Sequence, residues 1–549
     1  MRSPRLALAC VAVAYVVLAF LVLPRDAFFS SDEGLKFIQL QNFVRKGWRD
    51  FTLDYPGRGL DPDLRHVPIN NPPPLIQDGR IYAVYPVFFP LVATPLYRLL
   101  GYAGLYVIPL TAGLLTLVIT YQIARLAGGG GPSSIVVLGL CSPLIFYSLV
   151  FWDHTLGTLL ATLALLLVVS SLQRPRRLFL LLGGVVIGLG IWVRSELYVM
   201  AIAMPLALLL LGTGRLTRLV WLCLGILGAL VPLWLFQFVV YGDFIGPHVS
   251  HVSWLSEQLP ATTDRVAIVY HTLLEGNSSP AMSFLYIMAF AASALLVRAP
   301  RIRTSRLLII IAFATLVLAT IPNLIEASRG RPLGGLITTA PFLVFGFATL
   351  LDSSVRRCNA FLLALSIAYI ALVSLLTPVD PGLQWGARFL LPVLPPLAVL
   401  ATNNFGALRT LRGRSTSGLL GACFVSVVAL SFFVQLSGLR TLHIIKTTDQ
   451  QLIRDTAQID PIHILSDEWG YAEYVAPLFY EKQFFFVRDQ AQYEELTQTL
   501  LENDTHTFAV VTYPRPRRRV VDPLIVADGY AIRKVGEQVY EIGELDSAR

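Results

Sequence analysis

Charge is what this 549-residue chain has least of: Asp, Glu, Lys and Arg make up only 14% of it, well below the share typical of a soluble domain. A water-exposed globular enzyme is therefore excluded as a description of most of the chain. Only five cysteines occur, at positions 10, 141, 223, 358 and 423. None has metal-ligand spacing, which argues against a zinc site or a disulfide framework and leaves them as small apolar-core residues. No internal repeat or low-complexity tract is visible. The formal charge of +8 would suit nucleic acid, but the basic residues are scattered among short segments instead of forming an aromatic-basic face. Nucleic acid is not an expected partner.

What is abundant is apolar sequence, 55% of the chain. Runs such as Ile135 to Leu149 and Leu178 to Val193 approach the roughly 20 residues needed to cross a hydrocarbon core. Arg2 and Arg5 precede the run Leu6 to Leu23, and Leu23-Pro24-Arg25 lacks a small-residue cleavage pattern. The run reads as a retained signal anchor with its N-terminus in the cytoplasm. Arginines mark the intervening loops: Arg125, Arg174, Arg176, Arg177, Arg215, Arg218, Arg298, Arg301, Arg303, Arg306, Arg356, Arg357, Arg409, Arg412 and Arg414. The positive-inside rule puts these loops in the cytoplasm.

The apolar chain between successive basic loops is about two spans long, so each interval is expected to be an outward hairpin. Residues 82–101 are long enough to count as a span, but crossing there would put the flanking segments on the wrong side. They also contain Pro86, Pro90 and Pro95, each removing a backbone donor that lipid cannot replace. A broken, interfacial or re-entrant segment is expected instead. The count is then about thirteen spans, near 6–23, 104–126, 133–150, 154–172, 178–193, 197–212, 217–240, 282–298, 306–321, 334–351, 359–377, 387–405 and 416–437.

From Leu439 onward the apolar runs shorten and charges rise. Ile462 to Leu465, Phe484 to Val487 and Phe508 to Val511 read as buried strands, with Gln490 to Glu502 helical between them. The fold expected is an all-α polytopic membrane protein, residues 1–438, with a small extracytoplasmic α/β domain at 439–549, and residues 24–103 forming the first outer loop.

That loop carries the most chemistry. Ser30-Ser31-Asp32-Glu33-Gly34 directly follows the first helix, and Phe37, Leu40, Val44 and Trp48 recur at helical spacing. An amphipathic helix along the membrane surface is expected, holding both carboxylates at the lipid-water boundary. The plainer reading makes Asp32 a helix cap. Three features favour function. Asp153 is expected at an outer hairpin tip on the same side, where a carboxylate is costly unless it faces a polar cavity. His154 beside it is either a cation ligand or an interfacial polar residue. Arg194, Arg329, Arg331 and Arg388 add cations suited to a phosphate. Each arginine also has the reading of an interfacial anchor, evenly balanced for Arg388 and favoured for Arg329 and Arg331. Glu196 and Glu326 read equally well as pair partners. His248 and His251 lack a third ligand and argue little for metal.

These pieces, in this order, resemble the GT-C superfamily of lipid-phosphate-sugar-dependent glycosyltransferases, in the branch of protein O-mannosyltransferases and aminoarabinose transferases. The matching segments are Asp32-Glu33, Tyr85-Pro86-Val87-Phe88-Phe89-Pro90 leading to Tyr97-Arg98-Leu99-Leu100-Gly101, and Ser142-Pro143 with Tyr147 before Trp152-Asp153. Later come Gly188 to Glu196 and Gln384-Trp385-Gly386-Ala387-Arg388-Phe389-Leu390-Leu391-Pro392. The family's His-Pro-Pro-like motif is replaced by Val84-Tyr85-Pro86; Asn71-Pro72-Pro73-Pro74 lies upstream.

The resemblance implies an inverting transfer of a sugar from a polyprenyl-phosphate carrier to a glycan, lipid or protein acceptor, outside the cytoplasm at the inner (plasma) membrane. It implies Asp32 as general base, Glu33 orienting it, and Asp153 contacting the acceptor or a divalent ion. Arg388 and Arg194 would bind the donor phosphate, with His154, Tyr85 and Glu196 in contact with substrate. Magnesium or manganese between Asp32 and Asp153 is open, because two carboxylates do not make a metal site. The competing class is a transporter or flippase for a polar lipid. It is disfavoured by the missing repeat and by charges gathered at one face.

Overall fold

The computed structural model describes residues 3–69, 72–129, 131–211, 216–251, 265–274, 280–298, 306–347, 349, 356–376, 384–410, 414–511, 521–523, 530–535 and 538–544. Among them, eight helices are long and apolar enough to cross a membrane: Pro4–Val22, Tyr102–Leu126, His154–Gln173, Leu216–Tyr241, Leu307–Ser328, Arg357–Leu376, Arg388–Gly406 and Gly418–Ala457. Shorter apolar helices occupy Phe88–Leu100, Arg177–Val193, Leu197–Leu210 and Phe284–Ser293. The chain is a multi-pass membrane protein.

Two expected spans differ from continuous helices. Residues 133–150 form Ser133–Leu140 and one turn at Leu144–Tyr147. The break falls at Ser142-Pro143, because the proline ring disfavours helical backbone in the residue before it. Residues 334–351 break in the same way around Pro341, into Leu336–Thr339, Pro341–Leu343 and Val344–Phe347. Residues 348 and 350–355 lie outside the described ones, as do Asn71, Arg301, Arg303 and Arg412.

The chain divides into two compact units, one of residues 1–23 and 103–444, the other of residues 24–102 and 445–549. The expected first outer loop therefore packs with the C-terminal segment. The boundary at 444/445 falls inside a single helix, Arg414–Ala457, which continues well past the composition change at Leu439.

In the first unit the helices Arg177–Val193 and Leu216–Tyr241 pack very closely. A Cβ on Gly184 would lie 2.1 Å from the Leu222 carbonyl oxygen, and one on Gly225 2.1 Å from that of Leu181. Only glycine permits this approach, the small-residue packing by which helices associate in lipid. Trp192 Nε1 closes the pair with a 2.9 Å hydrogen bond to the Ala229 carbonyl. Among the cysteines, Cys141 and Cys358 are buried, whereas Cys10 is exposed on the first helix, so the core reading does not hold for all five.

The second unit is built on helix α2, Ser31–Lys46, counting Pro4–Val17 as α1. Ser30 precedes it in extended backbone, Asp32 and Glu33 fill its first turn, Arg45 and Lys46 its last, and Gly47 ends it in left-handed geometry at φ 72°. Each choice suits its end of the helix dipole or the terminal turn. Helix α3, Phe88–Leu100, lies against it through Phe37 and Tyr97, whose rings sit 5.3 Å apart edge to face. Residues 82–101 thus contain a helix that tolerates Pro95 but is too short to span alone.

The first loop contains a short antiparallel pair, β1 at Leu75–Gln77 and β2 at Arg80–Tyr82. The C-terminal sheet runs in the order β4-β3-β5-β7-β6, with β3 at His463–Ser466, β4 at Gln483–Phe486, β5 at Thr507–Val511, β6 at Tyr530–Lys534 and β7 at Val539–Glu544. The first three strands are parallel and the last two antiparallel. The helix Gln490–Glu502 lies between β4 and β5 in sequence, at its expected place. The first loop joins the sheet edge: Phe486 N donates to the His66 carbonyl at 2.9 Å, and the Tyr55 ring packs on Phe485.

Candidate functional site

Of the expected site residues, Asp32, Glu33 and Tyr85 belong to the second unit, and Asp153, His154, Arg194, Glu196 and Arg388 to the first.

In the second unit, Asp32 occupies the first turn of α2. Oδ1 of Asp32 accepts a 2.6 Å hydrogen bond from the Tyr85 hydroxyl. Tyr85 is itself fixed twice. Its carbonyl accepts from Gln39 Nε2 at 3.4 Å, and the ammonium of Lys36 sits 3.8 Å above its ring centroid. A cation on the ring face draws electron density from the phenol and strengthens its hydroxyl as a donor. Lys36 and Asp32 are four residues apart, on one face of the helix.

The sequence suggested an amphipathic α2 along the membrane surface, holding both carboxylates at the lipid-water boundary. Its polar stripe is instead buried: Glu33 and Lys36 are at most 1% exposed, and Gln39 and Asn42 are buried with them. Asn42 donates to the Thr52 carbonyl at 2.6 Å and accepts from Tyr480 at 3.3 Å. The polar stripe is therefore a contact surface within the protein, whereas Trp48 at the far end is exposed.

In the first unit, Asp153 follows the loop containing Trp152 and precedes the helix His154–Gln173. The Arg194 guanidinium bridges two carboxylates, Asp153 through Nη1 and Glu196 through Nη2. Asp153 is 2% exposed, a depth at which a carboxylate needs such a partner. Burial alone would raise the Glu196 carboxyl. The facing Arg194, helped by His248 and Arg388, more than offsets this and holds it below the usual carboxylate range. Burial would also discharge Arg194, but Asp153 and Glu196 keep it firmly charged.

Arg388 stands over the indole of Trp152 at 4.9 Å and the ring of Phe389 at 5.0 Å. Its backbone N–H donates to Gln384 Oε1 at 3.3 Å. Next to it, Trp385 is locked by Tyr147, whose hydroxyl accepts from its backbone N–H at 3.1 Å, and by Gln435, which accepts from its indole at 3.0 Å. The Gln384 to Pro392 segment is thus built as a fixed platform. A small cavity opens between His154, Thr158, Arg194, Glu196, Tyr369 and Arg388. It is lined by two guanidinium groups, one carboxylate and hydroxyl-bearing side chains, a set suited to an anionic polar ligand. The His154 ring packs edge-on against Trp152 at 4.7 Å.

The other candidates lie apart from this cavity lining. Arg329 and Arg331, both exposed, pair with the half-buried Glu326 at 2.8 and 2.6 Å at the end of the helix Arg306–Ser328. Nδ1 of His248 lies 2.7 Å from Ser195 Oγ. Sequence reasoning missed Lys36 and Tyr369. The signal for Lys36 was a lysine four residues after Asp32 in a helix whose other face is apolar; nothing local marks Tyr369.

Among the described residues, no group of three or more His, Cys, Asp and Glu side chains gathers to hold a metal ion. Asp153 is charge-paired to Arg194, and Asp32 accepts from Tyr85.

No protein-family model and no curated protein matches this chain. Its structure is similar to ArnT from Cupriavidus metallidurans bound to undecaprenyl phosphate, with a TM-score of 0.49 and 15% identity over 92% of this chain and 93% of that one. It is also similar to the oligosaccharyltransferase of Archaeoglobus fulgidus in the apo form, with a TM-score of 0.47 and 13% identity over 92% of this chain and 69% of that one.

Proposed function

We propose that this protein is a membrane glycosyltransferase of the GT-C type, moving a sugar from a polyprenyl-phosphate carrier to a glycan, lipid or protein acceptor on the extracytoplasmic face, with inversion at the anomeric carbon. The observation that carries the reading is the Asp32 carboxylate held by Tyr85, with Lys36 over the tyrosine ring. A general base must be aimed at the proton it takes, and the Tyr85 hydrogen bond fixes the direction of this carboxylate. The order of motifs around it supports the same reading, as does the arginine pattern of the loops for the face of action.

In the reaction the acceptor hydroxyl or amine attacks the anomeric carbon from the side opposite the phosphate. A carbon–oxygen or carbon–nitrogen bond forms as the sugar–phosphate bond breaks, and the bonding electrons leave with the lipid phosphate. The acceptor's proton passes to Asp32. Glu33 orients the turn that carries this base. The charge growing on the leaving phosphate is met by Arg388, whose guanidinium is fixed over Trp152. Preformed positive charge of this kind stabilises the transition state without reorganisation. Arg194 adds to the same positive field while balancing Asp153 and Glu196. His154, Glu196 and Tyr85 contact the sugar or acceptor.

The test is transfer from a labelled polyprenyl-phosphate sugar by the purified protein. Asp32→Asn keeps size and shape but cannot accept the proton, and is expected to lower the rate by on the order of a hundredfold or more with normal membrane insertion. Undiminished transfer by that variant would remove Asp32 from the mechanism.

A further inference from the structure

The first turn of α2 is held by more than its own loop. Glu33, beside the proposed base, is fully buried, and so are Lys446 and Glu473; Asp449 is 2% exposed. Lys446 and Asp449 lie near the end of the helix Arg414–Ala457, and Glu473 in the turn Tyr471–Tyr474. All belong to the second unit. Lys446 lies within electrostatic reach of Glu33 first, then Asp26 and Asp449. One turn further on, Gln450 Nε2 donates to Asp26 Oδ1 at 2.6 Å.

Backbone packing makes the same connection. A Cβ on Gly34 would fall 1.7 Å from the carbonyl oxygen of Glu473, so the first turn of α2 rests directly on that chain. The 471–474 turn is in turn tied to the end of the long helix, where the Tyr471 hydroxyl lies 2.6 Å from Thr456 Oγ1. A carboxylate buried this deeply is strongly destabilising without a countercharge. The base, one residue away on the same turn, moves with it.

We propose that Lys446 is a positioning residue for the reaction: it supplies the buried countercharge of Glu33, and with the Gly34–Glu473 contact it makes the C-terminal segment part of the machinery that aims Asp32. The proposal rests on the reading of Asp32 as the base. It gives the C-terminal segment a role in the chemical step itself, beyond any part in choosing the acceptor. Lys446 touches neither donor nor acceptor; its effect passes through Glu33 and the helix turn.

The experiment compares wild type, Lys446→Met, Lys446→Arg, Glu33→Gln and the double variant Glu33→Gln/Lys446→Met, all as full-length protein in detergent, with transfer normalised to folded protein. Misplacing a base by about 1 Å costs on the order of a hundredfold. Lys446→Met is therefore expected to lose kcat on that scale with KM for the lipid donor nearly unchanged, and Lys446→Arg to recover part of it. The double variant, which leaves neither charge alone, is expected to match Glu33→Gln. A normal kcat in Lys446→Met, or a double variant whose losses multiply, overturns the proposal. If Lys446→Met does not accumulate, comparing the double variant with Glu33→Gln decides the question alone. Should wild type itself fail to transfer from the donor, the functional reading fails. The Glu33–Lys446 coupling is then read from thermal midpoints of the same set, and additive midpoint losses overturn it separately.

Discussion

The hydroxyl of Tyr85 reaches across 53 residues of chain to donate a 2.6 Å hydrogen bond to Asp32. The link joins the first turn of α2 to the segment before α3, and removing it frees the carboxylate to change its aim. Tyr85→Phe is expected to reduce kcat by roughly tenfold, the scale of one charge-assisted hydrogen bond, with thermal stability nearly unchanged. Steady-state transfer assays and a thermal melt check both halves; an unaffected kcat would show that the tyrosine only packs.

Arg194 is shared between Asp153 and Glu196. Arg194→Met strands two carboxylates in a buried setting, which is expected to cost about 3 kcal/mol or more of stability. Lysine offers one compact charge where the arginine fork spans two partners, so Arg194→Lys should restore only part of the loss. Thermal unfolding of the two variants against wild type measures the difference, and equal midpoints for lysine and arginine would count against the bridging role.

Arg388 stacks on Trp152 and lines the small cavity together with Arg194. Its charge is proposed to serve the phosphate. Arg388→Met is expected to lower kcat/KM for the polyprenyl-phosphate donor by on the order of a hundredfold, the scale of one charge-stabilising group, with little change in the melt. A large stability loss with normal transfer would identify it as an anchor.

Glu196 gives a pH signature. Burial raises its carboxyl, but Arg194 outweighs burial and the folded value lies below the ordinary 4.5. The folded state therefore binds fewer protons than the unfolded state as pH drops. The stability contributed by the pair is complete above about 4.5 and is lost as pH falls through the folded value. Melting midpoints measured from pH 7 down to 4 and below are expected to fall at the acid end. The fall should be shallower in Glu196→Gln; identical profiles would exclude this pair as a contributor.

Much of this was legible in sequence because it is written in local patterns. Apolar length marks the helices, and the strand and helix pattern after residue 460 stands at its expected positions, whereas 133–150 and 334–351 read as continuous spans and are broken at their prolines. The carboxylates and arginines of the proposed chemistry were also visible, because charge in an apolar chain has few structural reasons to be there. What local pattern left open was the polar face of α2. Glu33, Lys36, Gln39 and Asn42 carry no local mark of burial, and only the tertiary structure shows that they are buried. Lys446 could not be singled out either, since a single lysine in an apolar helix carries no record of the acid that faces it.

By itself, then, the sequence determined that the chain is a multi-pass membrane protein and which acidic pair follows the first helix. Tertiary structure decided how that pair is held. The first loop and the C-terminal segment, separated by more than three hundred residues of chain, form one compact unit. In it Asp32 is aimed by Tyr85, and Glu33 is buried within electrostatic reach of Lys446. The physical reason is that helix and strand follow from neighbours a few residues apart. Countercharges and a backbone contact possible only at a glycine depend instead on which distant segments meet.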